Sequence, residues 1–190
     1  MKKLLAMPAA VSIILVWLAV WLLTLFSEHA ASVLCGRGIA IIDNEYYRFL
    51  TASFVHTDVI HLLVNASAMF WIGYLYERRV GSLKFLAVGA VCAVLTQFVF
   101  LCVFRNAEMS VGGSALNYVL CGFALMLQRL IPDFPKMKFG KWSGNWLIIY
   151  LIAANIPLLA FMDATTVIMH AIAFAFGVIA ALTCFQFGMR

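Results

Sequence analysis

"SVGGSALNYVL", Ser110 to Leu120, sets two glycines, a serine, an asparagine and a tyrosine between two long apolar runs. A glycine-bearing turn at membrane depth leaves backbone N–H and C=O groups that lipid cannot satisfy. Such a turn is tolerated only where protein or water surrounds it. Gly112 and Gly113 therefore predict a water-filled cavity inside a helical membrane bundle. The fold class follows from whether the rest of the chain supplies that bundle.

It does. The chain is 65% hydrophobic and 11% charged, with a mean hydropathy of +1.02; soluble domains run nearer half apolar and a quarter charged. Six runs, near 8–26, 54–76, 83–104, 112–131, 146–162 and 165–187, can each cross about 30 Å of hydrocarbon. Gln97 in the third and Pro157 in the fifth are tolerable where neighbouring helices satisfy them. No repeat, low-complexity tract or soluble segment divides the runs, so residues 1–190 read as one all-α, six-helix membrane domain. The first run could serve as a secretory signal, whose apolar core is usually about 7–15 residues. Pro8 to Phe26 has 19, which favours an uncleaved span.

Charge orients the bundle. With the N-terminus inside, the inner segments hold Lys2, Lys3, Arg78, Arg79, Lys84, Arg129, Lys136, Lys138, Lys141 and Arg190, and the outer ones only Arg37, Arg48 and Arg105. That is the positive-inside pattern, and it accounts for the net charge of +5 through topology and attraction to the anionic bilayer. Basic residues split among short loops do not form a nucleic-acid surface. The five cysteines, mostly within apolar runs, form no disulfide framework.

Polar groups in lipid are costly and point to function. Here they are His61 and Asn65 in the second run, Ser114 and Asn117 in the fourth, and His170 in the sixth, while no acidic residue lies deep in a span. His61 is expected roughly 10 Å below the outer surface and His170 roughly 8 Å. The unbroken apolar stretch of the fourth run, Ala115 to Leu127, covers only about 20 Å. With Gln128 and Arg129 at the inner face, its outer end starts low, which sinks Ser114 to the level of the histidines. His61 and Asn65, and likewise Ser114 and Tyr118, stand at i, i+4 on one helix face.

This constellation suits acyl transfer. A serine hydroxyl becomes a nucleophile when a base in hydrogen-bond reach takes its proton, and His170 can take it and return it to the leaving amine. The nearest preceding acid, Asp163, lies seven residues away, about 10 Å along the helix. A Ser114–His170 dyad is therefore expected, its ring packed against Tyr118. The oxyanion needs preorganised donors; His61, Asn65 and the Ser114 backbone N–H are of the right kinds. Singly, each has an ordinary reading: an N-cap serine, or interhelical hydrogen-bonding His and Asn. Two histidines could also hold a metal, but no third ligand stands at i+3 or i+4 from either. No metal or other cofactor is implied.

At these residues the sequence resembles the rhomboid family of intramembrane serine proteases, from about Tyr47 to Gly177. "HLLVN" and "GYLYERRVG" give that family's HxxxN and GxxxExxxG through His61, Asn65, Gly73, Glu77 and Gly81. "YYRF" is similar to its aromatic–arginine pair in the first loop, with Tyr47 where tryptophan is usual, and "GGSA" stands for GxSG around Ser114. The resemblance implies that Ser114 and His170 are catalytic, with Tyr118 stacked on the histidine. It also implies transmembrane-helix substrates cleaved in or near the bilayer at small residues, a first loop partly in the outer leaflet, and a fifth helix serving as a lateral gate, which Pro157 would weaken. The six-helix form resembles bacterial members, giving a plasma (inner) membrane protein with both termini cytoplasmic.

Three positions depart from the family pattern: Ala115 and Ala173 replace glycines, and Met169 replaces an alanine. The added methyl groups are expected to crowd the contact between the fourth and sixth helices. With serine and histidine both present, an active enzyme is expected. The alternatives are a catalytically weak or inactive rhomboid-like protein that binds transmembrane clients, and a transporter using the histidines as a proton relay. The second lacks the buried acids and inverted repeats such a transporter would show.

Overall fold

Helix starts along the chain follow local chemistry. Pro8 opens α1 (Pro8–Phe26), where a missing N–H costs nothing. Ser27 then breaks the run and caps α2 (Glu28–Leu34) by accepting from Ala30 N–H. A short α3 (Arg48–Thr51) runs into a 3₁₀ turn at Ala52–Phe54. Asp58 starts α4 (Val59–Ile72) by accepting from His61 N–H at 2.8 Å. A wider π turn at Gly73–Glu77 joins α4 to α5 (Arg78–Val80), and Gly81 separates α5 from α6 (Ser82–Val103). There follow α7 (Ser114–Leu130), α8 (Trp142–Ala153) and α9 (Ala164–Gln186). This computed structural model describes residues 7–156 and 164–188, so Pro157 and Asp163, with the end of the expected fifth span, lie outside the described residues.

Among the described residues, four helices are long and apolar enough to cross a membrane: Pro8–Phe26, Val59–Val80, Ser82–Val103 and Ala164–Gln186. The second differs from the expected 54–76. The Asp58 cap delays its start, and the helix carries its charged residues 77–79 rather than ending before them. His61 thus lies in the first turn of α4, not about seven residues into a span.

α7 is the hub. Every residue from Ser114 to Ala124 is buried, the pattern of a helix surrounded by others, whereas α1 exposes Leu15, Leu18, Leu22 and Leu25 as a lipid-facing stripe. α7 and α9 meet backbone to backbone: a Cβ on Gly177 would lie 2.0 Å from Val119 O, and one on Gly122 2.3 Å from Phe174 O. Glu77, fully buried, accepts from the N–H groups of Ala9 and Ala10 at 2.8 Å each. It thereby satisfies the open start of α1. Gly73 makes the approach possible, since its Cβ would fall 2.3 Å from Ala10 Cβ.

The first loop is tied down by Arg48. Its guanidinium donates to Ser32 O at 2.7 Å, Cys35 O at 2.9 Å and Glu45 Oε2 at 2.7 Å. The Arg48 bond holds the Glu45 carboxyl below the usual carboxylate range. Gly36 and Ser110 exchange two backbone hydrogen bonds, at 2.8 and 2.9 Å, clamping this loop to the segment that enters the glycine turn.

Candidate active site

The glycine turn is held from three sides. Gly112, at φ +117°, donates its N–H to Ala52 O at 3.1 Å. Gly113 donates to His56 Nε2 at 3.2 Å, and its Cα faces Trp17 so closely that a Cβ would lie 2.2 Å from the indole. Trp17 is anchored through Nε1 to Ser53 O at 2.9 Å. His56 packs edge-on to both Trp17 and His61, with ring centroids 5.2 and 5.0 Å apart. The turn thus delivers Ser114 as the first residue of α7, where its N–H has no intrahelical acceptor.

A cavity of about 710 Å³ opens beside the turn and is lined by His61, Asn65, Ser114, Tyr150 and His170 among others. Groups from α4, α7, α8 and α9 therefore share one space. The Tyr118 ring stacks on His170 with centroids 4.0 Å apart and planes 8° from parallel. His170 Nε2 is buried and makes no hydrogen bond among the described residues, so the Ser114 hydroxyl is not bonded to it. Resting catalytic contacts are commonly long and tighten only with substrate.

Asn65 belongs to a polar knot. Its Oδ1 accepts from Asn117 Nδ2 and from Tyr150 Oη, both at 3.0 Å, and its Nδ2 donates to His61 O at 3.0 Å. An amide nitrogen has two hydrogens, so one remains beyond the bond to His61 O. On the far side, Asn155 Oδ1 lies 3.0 Å from His170 Nδ1, and Asn155 Nδ2 donates to Tyr118 Oη at 2.6 Å and Leu151 O at 2.7 Å.

Of the residues singled out from sequence, Ser114, His170, His61 and Asn65 line this cavity, Tyr118 stacks on His170, and Gly112 and Gly113 form the turn ahead of Ser114. Sequence reasoning missed His56, Tyr150 and Asn155. His56 and Asn155 are polar residues inside runs assigned to spans, a signal that was legible; Tyr150 carries none, since tyrosine is common in such runs.

The Rhomboid domain profile matches residues 43–187. Rhomboid protease GlpG of Haemophilus influenzae is 29% identical over 100 residues, covering 51% of this chain and 51% of that protein. Putative rhomboid protease YdcA of Bacillus subtilis is 22% identical over 176 residues, covering 76% and 88%. RHOMBOID-like protein 7 of Arabidopsis thaliana is 31% identical over 123 residues, covering 64% and 37%. The match thus spans about half the length of the Haemophilus protein. Its helical membrane spans and a domain match covering residues 43–187 put this chain in the rhomboid family.

Proposed function

We propose that this chain is an intramembrane serine endopeptidase that cleaves transmembrane segments of other membrane proteins. What supports the reading is the cavity lined jointly by Ser114, His170, His61 and Asn65, with His170 Nε2 buried and unpartnered among the described residues. In the first step His170 Nε2 takes the Ser114 hydroxyl proton as Oγ bonds to the scissile carbonyl carbon. The carbonyl oxygen becomes an oxyanion facing the Ser114 N–H, Asn65 Nδ2–H and His61. Collapse of the intermediate breaks the C–N bond, and His170 protonates the leaving amine. Water then repeats the sequence on the acyl-serine and frees Ser114. In this reading the single domain crosses the bilayer six times, α7 and α8 being the two short crossings. Both termini are cytoplasmic, and a bacterial inner membrane is the setting.

Ser114→Ala and His170→Ala should each abolish cleavage of a single-span substrate in detergent while the protein stays folded. A serine-directed fluorophosphonate should modify Ser114 in the parent chain and fail in His170→Ala. Near-normal cleavage by Ser114→Ala overturns the mechanism. A folded parent chain that binds transmembrane helices but is never labelled would instead be a client-binding relative without an activated serine.

A further inference from the structure

We infer that Asn155 is a positioning residue that fixes His170 as the Nδ1–H tautomer and so leaves Nε2 free to act as base; this rests on the protease reading of Ser114 and His170. The assignment follows from which partners can only accept. Leu151 O is a carbonyl oxygen, and it lies 2.7 Å from one terminal atom of the Asn155 amide. That atom must be the nitrogen, because an amide oxygen there would set two acceptors against each other. Tyr118 Oη spends its single hydrogen on the same Leu151 O at 3.1 Å, so it accepts from Asn155 Nδ2 at 2.6 Å. The remaining amide atom, Oδ1, faces His170 Nδ1 at 3.0 Å. An amide oxygen donates nothing, so Nδ1 carries the hydrogen. A neutral imidazole has only one N–H, and its lone pair is left on Nε2.

Asn155 thus fills the place that a carboxylate takes in a serine–histidine–acid triad, setting tautomer and ring orientation without burying a charge. Stacking on Tyr118 alone fixes the ring plane but not which nitrogen is protonated. The residue comes from the turn after α8, with its own N–H bonded to Ile152 O at 3.1 Å, so a third helix reaches the base through one amide.

The test uses the full chain in detergent with ¹⁵N-labelled histidine, His170 being assigned by loss of its signals in His170→Ala. At a pH where the ring is neutral, the parent chain should show His170 as the Nδ1–H tautomer. Asn155→Leu should move it toward Nε2–H. The same variant should lose about 10²-fold in kcat, the low end for a positioned general base. KM should stay unchanged, and fluorophosphonate labelling of Ser114 should slow in parallel. Asn155→Asp keeps an acceptor at Nδ1 although its second oxygen faces Leu151 O, so it should hold the Nδ1–H tautomer that Asn155→Leu loses. An Nε2–H ring in the parent chain overturns the inference, and that measurement needs no variant to fold. So does Asn155→Leu labelling at the parental rate. An Nδ1–H ring in a parent chain that never labels or cleaves supports the positioning while overturning the protease reading.

Discussion

The imidazole of His61 rests against the backbone of Gly112. A Cβ at Gly112 would lie 2.8 Å from both its Cε1 and Nε2, and the residue sits at φ +117°, where L side chains are strained. The glycine therefore gives His61 its place beside the turn that leads into Ser114. Gly112→Ala should displace the ring and remove one oxyanion donor, a loss that typically costs about 10²–10³ in rate. Gly113→Ala should fail differently. Its methyl would collide with the fully buried Trp17 indole, so the yield of folded protein should fall. Turnover per folded molecule, measured beside thermal stability, separates the two. Equal turnover in parent and Gly112→Ala would remove His61 from the oxyanion site.

In the proposed mechanism Asn65 is both an oxyanion donor and a structural acceptor, so a single alanine variant mixes two effects. Asn65→Ala leaves the Tyr150 hydroxyl hydrogen without its buried acceptor, at about 1–3 kcal/mol, while the Asn117 amide keeps Asn65 O and Tyr150 Oη as acceptors. Tyr150→Phe removes only the hydroxyl's share of this knot. It should cost roughly 1 kcal/mol of stability and leave kcat near normal, whereas Asn65→Ala should lose stability and about 10²-fold or more in kcat. If both variants slow turnover equally, the knot acts through rigidity and Asn65 is not a donor to the oxyanion.

The start of α4 carries a pH dependence. Asp58 accepts from His61 N–H, and that bond, ahead of the others it makes, holds its carboxyl below the usual carboxylate range. A depressed carboxyl stabilises the fold above its unfolded pKa, about 3.9. That stability is lost as pH falls through the lower folded value. Asp58→Asn should keep most of the cap at neutral pH and flatten the acid limb of the stability profile. Asp58→Ala should cost about 1 kcal/mol at neutral pH. A melting-temperature series between neutral and acidic pH measures both; a parent-like acid limb in Asp58→Asn would assign the acid sensitivity elsewhere.

Where the sequence reading succeeded and failed has one physical cause. α1 was legible to the residue, because Pro8 and Ser27 punctuate an otherwise unbroken apolar run. The helix of the second span, Val59–Val80, starts and ends later than the expected 54–76. Phe54 and Val55 are apolar but precede the Asp58 cap, and Glu77 looked like a boundary although it is buried beneath the start of α1. The motif residues His61, Asn65 and Ser114 were visible through their i, i+4 partners. His56 and Asn155 stand out in sequence only as polar residues inside spans, with no such local partner to give them a role. Each answers to a group far along the chain, Gly113 N–H and His170 Nδ1, and only the packed bundle brings those together.

The seam between α7 and α9 bears on the expectation that Ala115 and Ala173 hold Ser114 away from His170. The limiting contacts are elsewhere. A Cβ on Gly177 would meet Val119 O at 2.0 Å and Phe123 N at 2.8 Å, so the two backbones already touch one turn inward from Ala173. Thinning Ala173 cannot draw the helices closer while those atoms are in contact. Further out, the Tyr118–His170 stack fills the space between them. Ala115→Gly and Ala173→Gly should therefore leave single-turnover cleavage unchanged and cost roughly 0.5–1 kcal/mol of stability each. Gly177→Ala should do the opposite of relieving crowding. Its methyl meets backbone that cannot swing aside, so α9 must shift from α7 and carry His170 with it. A displacement of about 1 Å can cost roughly 10² in rate, and fluorophosphonate labelling of the folded fraction should drop by that order. Faster cleavage in either alanine-to-glycine variant would show that the methyls, not the glycine contacts, set the separation.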